Sequence, residues 1–216
     1  MEKISKVKGR LRTISVKHVL GERNLISKYK ENGCVFRFNV STCYFSPRLA
    51  SERKEIMGRI KKKDRALVMF AGVGVYPIVI YKTKQPAKIV GVELGKDCCK
   101  YFQENLKLNK MLNKIEIIQG DVKRKVSGKL GKFDVVLMPR PNLKESFLKL
   151  GLLASKKGGK IFYYGFCRED EKNEMIDGLV KEAEKLRRKI KIMKVVQAGE
   201  IGPYKYRYRV EIKVLS

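Results

Sequence analysis

Two glycines and two acidic residues follow short apolar segments of the sequence, in the order that a nucleoside-binding sheet requires. Gly72 and Gly74 come after ALVMF, Glu93 closes KIVGVEL, and Asp121 follows IEIIQ. A glycine lacks a Cβ, so its backbone can approach a ligand closely. Glu93 can accept hydrogen bonds from two ribose hydroxyls, and Asp121 or its neighbouring amides can face an adenine edge. The spacing predicts an adenosine pocket, although each acid taken alone also fits a solvated loop.

The glycine segment departs from the two common phosphate-binding patterns. In GVGVYP, Pro77 replaces the third glycine of a dinucleotide-binding GxGxxG, and no Gly-Lys-Ser/Thr of a P-loop follows. A plain tight turn explains the two glycines when they are considered alone. Together with Glu93 and Asp121 they favour S-adenosylmethionine over a dinucleotide, because this cofactor carries an adenosine and no phosphate.

The elements that must position these residues alternate between strand and helix patterns from about residue 67 onward. Repeated strand–helix–strand units predict an α/β, doubly wound sheet, and the alternating YKYRYRVEIKV predicts a closing antiparallel hairpin. The helix expected over 145–155 is predicted to end at Gly158-Gly159, a plausible C-cap. We expect residues 1–65 to form a small β-rich module that contacts RNA, and residues 66–216 to form the catalytic domain.

The charge of the chain indicates a polyanionic partner. Its 216 residues include 50 Lys and Arg against 22 Asp and Glu, a formal net charge of +28. Clustered cations gain free energy by releasing the counterions of a nucleic acid, whereas a lysine-rich surface typical of thermophiles is the simpler alternative. The densest basic stretches lack the apolar face of a membrane-surface helix. We expect a cytoplasmic protein without a membrane span, a signal peptide or a bound metal.

The segment YKENGCVFRFNVSTCYFSPRLASER, followed by MFAGVGVYPI, resembles the archaeal and eukaryotic tRNA (guanine-37-N1)-methyltransferases. The wybutosine-pathway aminocarboxypropyl transferases share much of the same pattern. The resemblance extends from GRLRT (9–13) to the final YRYRVEIKV. It implies a class I methyltransferase (Rossmann-like) fold, S-adenosylmethionine as the donor and the tRNA anticodon stem-loop as the partner. It also implies that the usual N-terminal tRNA-recognition domain is lacking, and we expect a monomer.

The resemblance assigns roles around the acceptor base. Methylating guanine N1 requires a group that removes its proton and a cation that stabilises the charge developing on O6. Glu52 matches the family's general base, and Arg12 matches its charge-stabilising arginine. Tyr44 matches an aromatic that lies against the base, and Arg48 is placed for phosphate or O6. From the residues alone, a helical pair between Glu52 and Arg48 is the favoured interpretation, and the resemblance reverses that preference.

The resemblance also completes the expected donor site and the loop beside it. We expect the donor to be bound by Phe70, Gly72, Gly74, Glu93, Leu94, Asp121, Val122 and Pro139. Arg140 and Pro141 complete the predicted catalytic set. Two positions depart from the family: Val68 replaces an Asp, and MPRP (138–141) puts Pro139 where many members have an Asn that contacts guanine. Arg140 would then replace that Asn, or the acceptor atom would differ.

Three functions are therefore compatible with the sequence. The first is methylation of N1 of guanosine 37 beside the anticodon. The second is a wyosine-pathway reaction, either aminocarboxypropyl transfer or methylation of the tricyclic intermediate. The third is a non-catalytic RNA-binding relative, which the changes at Val68 and Pro139 suggest.

Overall fold

The computed structural model describes residues 2–3, 9 and 11–216. Its first part contains two small antiparallel strand pairs followed by a helix. Its elements are β1 (Glu2–Lys3), β2 (Val16–Lys17), β3 (Ile26–Glu31), β4 (Cys34–Asn39), a 3-10 turn (Pro47–Leu49) and α1 (Ala50–Arg59). β1 pairs with β2, and β3 pairs with β4. The predicted β-rich module thus also includes a helix, and a domain division at residue 65 remains a prediction.

A seven-stranded sheet forms the rest of the chain. Its elements are β5 (Arg65–Met69), α2 (Val75–Lys84), β6 (Lys88–Glu93), α3 (Lys96–Leu108), β7 (Glu116–Gln119), α4 (Val122–Lys125), a 3-10 turn (Gly128–Leu130), β8 (Phe133–Met138), α5 (Leu148–Ala154), β9 (Ser155–Arg168), α6 (Lys172–Lys185), β10 (Ile190–Gly202) and β11 (Lys205–Val214). The strand order is β10-β11-β9-β8-β5-β6-β7. Strands β5 to β9 are parallel, and β11 is antiparallel to both neighbours. The predicted doubly wound sheet with a terminal hairpin is confirmed.

The sheet is covered on both faces, as its apolar strand sequences require. Alternate residues of β5 point to opposite layers. Ala66 and Val68 belong to the core cluster that includes α2, α3 and the β3–β4 hairpin. Leu67 and Met69 belong to the cluster that includes α5 and α6. In the described part of the chain, no helix has both the length and the apolar character needed to cross a membrane.

The β3–β4 hairpin is fixed to α3 by two asparagines. Asn105 accepts a hydrogen bond from the backbone N–H of Arg37 at 2.7 Å. Asn109 accepts from the N–H of Val35 at 2.9 Å and donates to its carbonyl at 2.7 Å. Because these amides copy the pairing of a strand, they satisfy backbone groups of β4 that would otherwise be buried without partners. The segment from β4 to the end of α1 therefore shares one core with the sheet.

The predicted helix end at Gly158-Gly159 is wrong. The helix α5 ends at Ala154, and β9 begins at the next residue and includes both glycines. The pairing of β9 with β8 shifts register between Phe133 and Val135, and this irregularity accommodates the segment SKKGGK within the strand. The glycines therefore belong to an irregular strand start and do not cap a helix.

Candidate active site

A cavity lies at the carboxyl ends of the central parallel strands, where open α/β sheets bind their ligands. It contains about 1040 Å³ of space, part of it open to solvent. Seven of the eight residues predicted to bind the donor line it: Phe70, Gly72, Glu93, Leu94, Asp121, Val122 and Pro139. The eighth, Gly74, lies behind the lining.

The two glycines of the turn after β5 have different roles. Gly72 has a positive φ of 58°, and a Cβ built on it would meet nothing within 4 Å, so its backbone faces open space. Gly74 has a φ of 86°, and a Cβ there would come within 2.0 Å of the Phe102 ring. Gly74 therefore permits α3 to pack against the start of α2. Only Gly72 leaves room for a ligand against the backbone of this turn.

Glu93 connects the glycine turn to the end of β6. Its carboxylate accepts the backbone N–H of Gly72 at 2.8 Å and that of Gly95 at 2.7 Å. Burial raises the pKa of Glu93 above the ordinary carboxyl range, against the effect of these backbone donors. Each carboxylate oxygen has a second lone pair, which can accept from a hydroxyl in the cavity. The geometry fits the predicted contact with a ribose diol.

Asp121 precedes the short helix α4 and accepts the backbone N–H of Lys123 at 3.0 Å. The next residue, Val122, is buried against the cavity. The rings of Phe70 and Phe147, which also line the cavity, meet edge to face, with their centroids 5.1 Å apart. A polar rim beside apolar walls suits an adenine, which has a hydrogen-bonding edge and two apolar faces.

The other end of the cavity is formed by the module that precedes the sheet. The Arg12 guanidinium carbon lies 3.6 Å from the centroid of the Tyr44 ring, and both residues line the cavity. Burial lowers the pKa of Arg12, and the nearby charge of Arg207 acts in the same direction. The structure therefore brings the predicted cation and the predicted stacking aromatic together, with Arg12 covering one face of the ring.

A family model described as the TRM5/TYW2 methyltransferase domain matches residues 27–197. The chain belongs to this TRM5/TYW2 family. It is 31% identical to the Nanoarchaeum equitans tRNA (guanine(37)-N(1))/4-demethylwyosine(37)-methyltransferase Taw22, with 99% of this chain and 87% of that protein aligned. It is 30% identical to the Pyrococcus abyssi tRNA (guanine(37)-N(1))-methyltransferase Trm5b, but spans only 62% of that protein.

Solved structures show the same relationship. The crystal structure of Pyrococcus abyssi Trm5b matches with a TM-score of 0.86 and 30% identity, over 99% of this chain and 63% of that one. The Methanocaldococcus jannaschii TYW2 structure, a complex with AdoMet, matches with a TM-score of 0.82 and 26% identity, over 92% of this chain and 90% of that one. Both branches of the TRM5/TYW2 family therefore share this fold, and the predicted family is confirmed.

Glu52, the predicted general base, lies outside the cavity lining. Its carboxylate accepts two hydrogen bonds from Arg209, each of 2.6 Å, and one from the Tyr164 hydroxyl at 2.5 Å. Tyr164 in turn accepts from the Tyr76 hydroxyl at 3.2 Å, and Tyr76 lines the cavity. The expected pair with Arg48 does not form. A chain of hydrogen bonds thus connects Glu52 to the cavity wall.

Two other predicted arginines also lie away from the cavity lining. Arg48 is exposed on the 3-10 turn before α1. Arg140 is buried and donates from Nη1 to the carbonyls of Pro141, Leu143 and Glu145, at 3.3, 2.9 and 3.1 Å. Its guanidinium therefore shapes the loop after β8 and is not aimed at a base. Pro141 does line the cavity, beside Pro139.

Arg207 was not predicted from the sequence, although it lines the cavity and is only 7% exposed. The sequence nevertheless contains a signal for Arg207, which is its spacing from Arg209. In YKYRYRVEIKV, Arg207 and Arg209 share one face of β11, which lies between two other strands of the sheet. Two arginines on an interior strand face must each meet a counter-charge or a ligand. This requirement would have identified both arginines as candidate site residues.

Proposed function

We propose that this chain is an S-adenosylmethionine-dependent tRNA methyltransferase that methylates N1 of guanosine 37. The observation that carries the proposal is the cavity itself. Within it, the buried Glu93 carboxylate and the open backbone at Gly72 face the Arg12–Tyr44 pair. Relatives covering nearly all of this chain are named for this reaction. The charge of +28 supports tRNA as the partner, and we include a cytoplasmic, monomeric state in the proposal.

The donor site fits S-adenosylmethionine by the chemistry of its residues. Glu93 would hold the ribose hydroxyls, Asp121 and Val122 would border the adenine, and Gly72 would lie against the ligand without obstruction. When bound, S-adenosylmethionine supplies an electrophilic methyl group on a sulfonium. Apolar walls that kept water from that methyl group would favour transfer to the base over hydrolysis.

The acceptor end must remove a proton and stabilise a negative charge. In our proposal the N1 proton moves to the Tyr76 oxygen, the Tyr76 proton moves to Tyr164, and the Tyr164 proton moves to Glu52. Both phenols end neutral, in agreement with burial raising the pKa of Tyr76 to about 12. Arg12 stabilises the charge that develops on O6.

The network around Glu52 can take up that proton. The fully buried Arg209 contacts Glu52, Glu55 and Glu211, and Arg59 contacts the last two of these. Glu52 is the first of these carboxylates that the relay from the cavity reaches, and in our proposal it takes up the proton while Glu55 and Glu211 keep their contacts with Arg209.

The test is transfer of a labelled methyl group to tRNA transcripts made without modified bases. A transcript with guanosine at position 37 should accept the label, and the same transcript with adenosine at that position should not. The Glu93→Ala variant is the negative control for the donor site. Equal labelling of both transcripts would contradict the assignment of the acceptor position, and the absence of labelling from any tRNA would favour a non-catalytic RNA-binding relative.

A second candidate is a wyosine-pathway reaction on the same nucleotide. The name of the Nanoarchaeum equitans relative includes 4-demethylwyosine beside guanosine, and the matched TYW2 structure belongs to the other branch of the family. Pro139 and Pro141 also give the acceptor loop a wall without side-chain donors. Product mass separates the possibilities, because aminocarboxypropyl transfer adds a much larger group than a methyl. Methylation of the tricyclic intermediate is tested separately, by offering the chain a tRNA that already carries this intermediate.

A further inference from the structure

Arg207 is a buried cation that lines the cavity, and no carboxylate of the described residues forms an ion pair with it. It is 7% exposed, its Nε has no hydrogen-bond partner, and none of the ion pairs in the described part of the chain includes it. Its guanidinium carbon lies 5.2 Å from the centre of the Phe166 ring, which supports the side chain from the neighbouring strand. A desolvated guanidinium without an anion is unfavourable.

The neighbouring Arg209 differs from Arg207 because carboxylates surround its guanidinium. Arg209 lies two residues further along the same strand face and is fully buried. It meets the carboxylates of Glu52, Glu55 and Glu211. One arginine of this face therefore has three acidic neighbours, while Arg207 has none among the described residues. The cost of burying Arg207 unpaired is explained if a ligand brings the missing negative charge.

A second guanidinium faces the same space. Arg12 also lines the cavity, and the charge of Arg207 contributes to lowering the pKa of Arg12. Tyr76, on a third element of the cavity wall, also experiences the charge of Arg207. Two cations that repel each other in a partly desolvated cavity create a strong positive potential there. Such a site favours an anion that reaches both guanidiniums.

The order of strands indicates which substrate carries that anion. Glu93 and Asp121 follow β6 and β7, at one side of the sheet, whereas Arg207 lies in β11 near the other side. The strands β9, β8 and β5 separate them, and the glycine turn follows β5. In the proposed function, Glu93 and Asp121 would therefore hold the donor's adenosine on the side away from Arg207. The acceptor base would then lie on the side of Arg207, where deprotonation of N1 would place negative charge on O6.

We propose that Arg207, together with Arg12, binds the negative charge that develops on O6 of the acceptor guanine. Arg207 is then a catalytic residue that acts on charge present only as the reaction proceeds. The inference rests on the proposed methyl transfer to guanosine N1. It adds to Arg12 a second cation, from β11, for the charge on O6.

The test compares Arg207→Gln and Arg207→Lys with Arg168→Gln, which removes an equal charge from an exposed ion pair with Asp170. In single-turnover assays at saturating donor and tRNA, Arg207→Gln should lower the rate roughly 10²–10³-fold, the usual effect of losing an oxyanion donor. Donor affinity, measured by calorimetry with S-adenosylhomocysteine, should stay unchanged. Arg207→Lys should recover part of the rate, and Arg168→Gln should resemble the unaltered chain.

The dependence of the rate on pH supplies a second readout. Because Arg207 stabilises the deprotonated base, its loss should move the rising limb of the rate profile to higher pH. A merely structural role would lower the rate at every pH alike. If Arg207→Gln does not fold, as judged by thermal melting, the same two measurements on Arg207→Lys decide the question.

Three other results would overturn the inference, and each of them would indicate a different role for Arg207. Weaker donor binding by Arg207→Gln would mean that Arg207 holds the donor's carboxylate. Weaker tRNA binding with an unchanged maximal rate would mean that it holds a phosphate. No change in any measurement would mean that it only packs. If the unaltered chain methylates no tRNA, the proposed function fails and the inference fails with it, whereas normal transfer by Arg207→Gln refutes the inference alone.

Discussion

The substitution Glu93→Gln tests the donor site most sharply, because it keeps the shape of the side chain and removes its charge. The Glu93 carboxylate already accepts two backbone N–H groups at 2.8 and 2.7 Å, and the residue lines the cavity. A hydrogen bond to a charged group contributes about 1.5–3 kcal/mol, so losing one should weaken donor binding roughly 10- to 150-fold. Calorimetric titration with S-adenosylhomocysteine measures this change directly.

The same substitution should remove a pH dependence. Burial raises the pKa of Glu93, and only the ionised form accepts from both ribose hydroxyls. Donor affinity of the unaltered chain should therefore be complete above that raised pKa and should fall as the pH drops through it, while Glu93→Gln shows no such fall. The control is Glu104→Gln, in an exposed pair with Arg37. Unchanged affinity in a folded Glu93→Gln protein would refute this account of the donor site.

Three further predictions concern other parts of the molecule. Glu52→Gln and Tyr164→Phe should each lower methyl transfer roughly 10²–10⁴-fold with donor binding intact, whereas the control Tyr81→Phe should not. Normal single-turnover rates in the first two variants would show that the proton leaves by another route. Gly74→Ala should destabilise the fold by about 1–3 kcal/mol in denaturant titrations, because the added Cβ meets Phe102. Gly72→Ala should mainly weaken donor binding. The reverse pattern would contradict the two roles assigned to these glycines. Binding of tRNA should weaken steeply with added salt in filter-binding assays, and a flat response would argue against the charge of +28 as the source of affinity.

The donor half of the site could be predicted from the sequence because its residues are tied to local patterns. Glu93 ends an apolar strand and Asp121 follows the next one, and parallel strands bring their carboxyl ends to one edge of the sheet. The roles of Gly72 and Gly74 could not be separated in this way. That distinction depends on Phe102, which reaches Gly74 from the next helix.

The acceptor half depends on contacts between distant parts of the chain. Glu52 is held by Arg209, which lies 157 residues later, so the expected pair with Arg48 could not be weighed against it. Arg140, next to Pro139, was expected to replace the contact of the family's Asn with guanine, yet its Nη1 donates to neighbouring carbonyls. Arg207 was missed because the pair Arg207 and Arg209 stands out only once β11 is known to be an interior strand of the sheet. Its burial is determined by the sheet and not by its local segment.

The identity of the modified nucleoside tests the central claim most directly. The chain would be incubated with S-adenosylmethionine and an unmodified tRNA transcript, and the digested RNA would be examined by mass spectrometry. The account predicts 1-methylguanosine, located at position 37 and lost when Glu93 or Glu52 is replaced. A methyl group on another atom or at another position, or a transferred aminocarboxypropyl group, would contradict it.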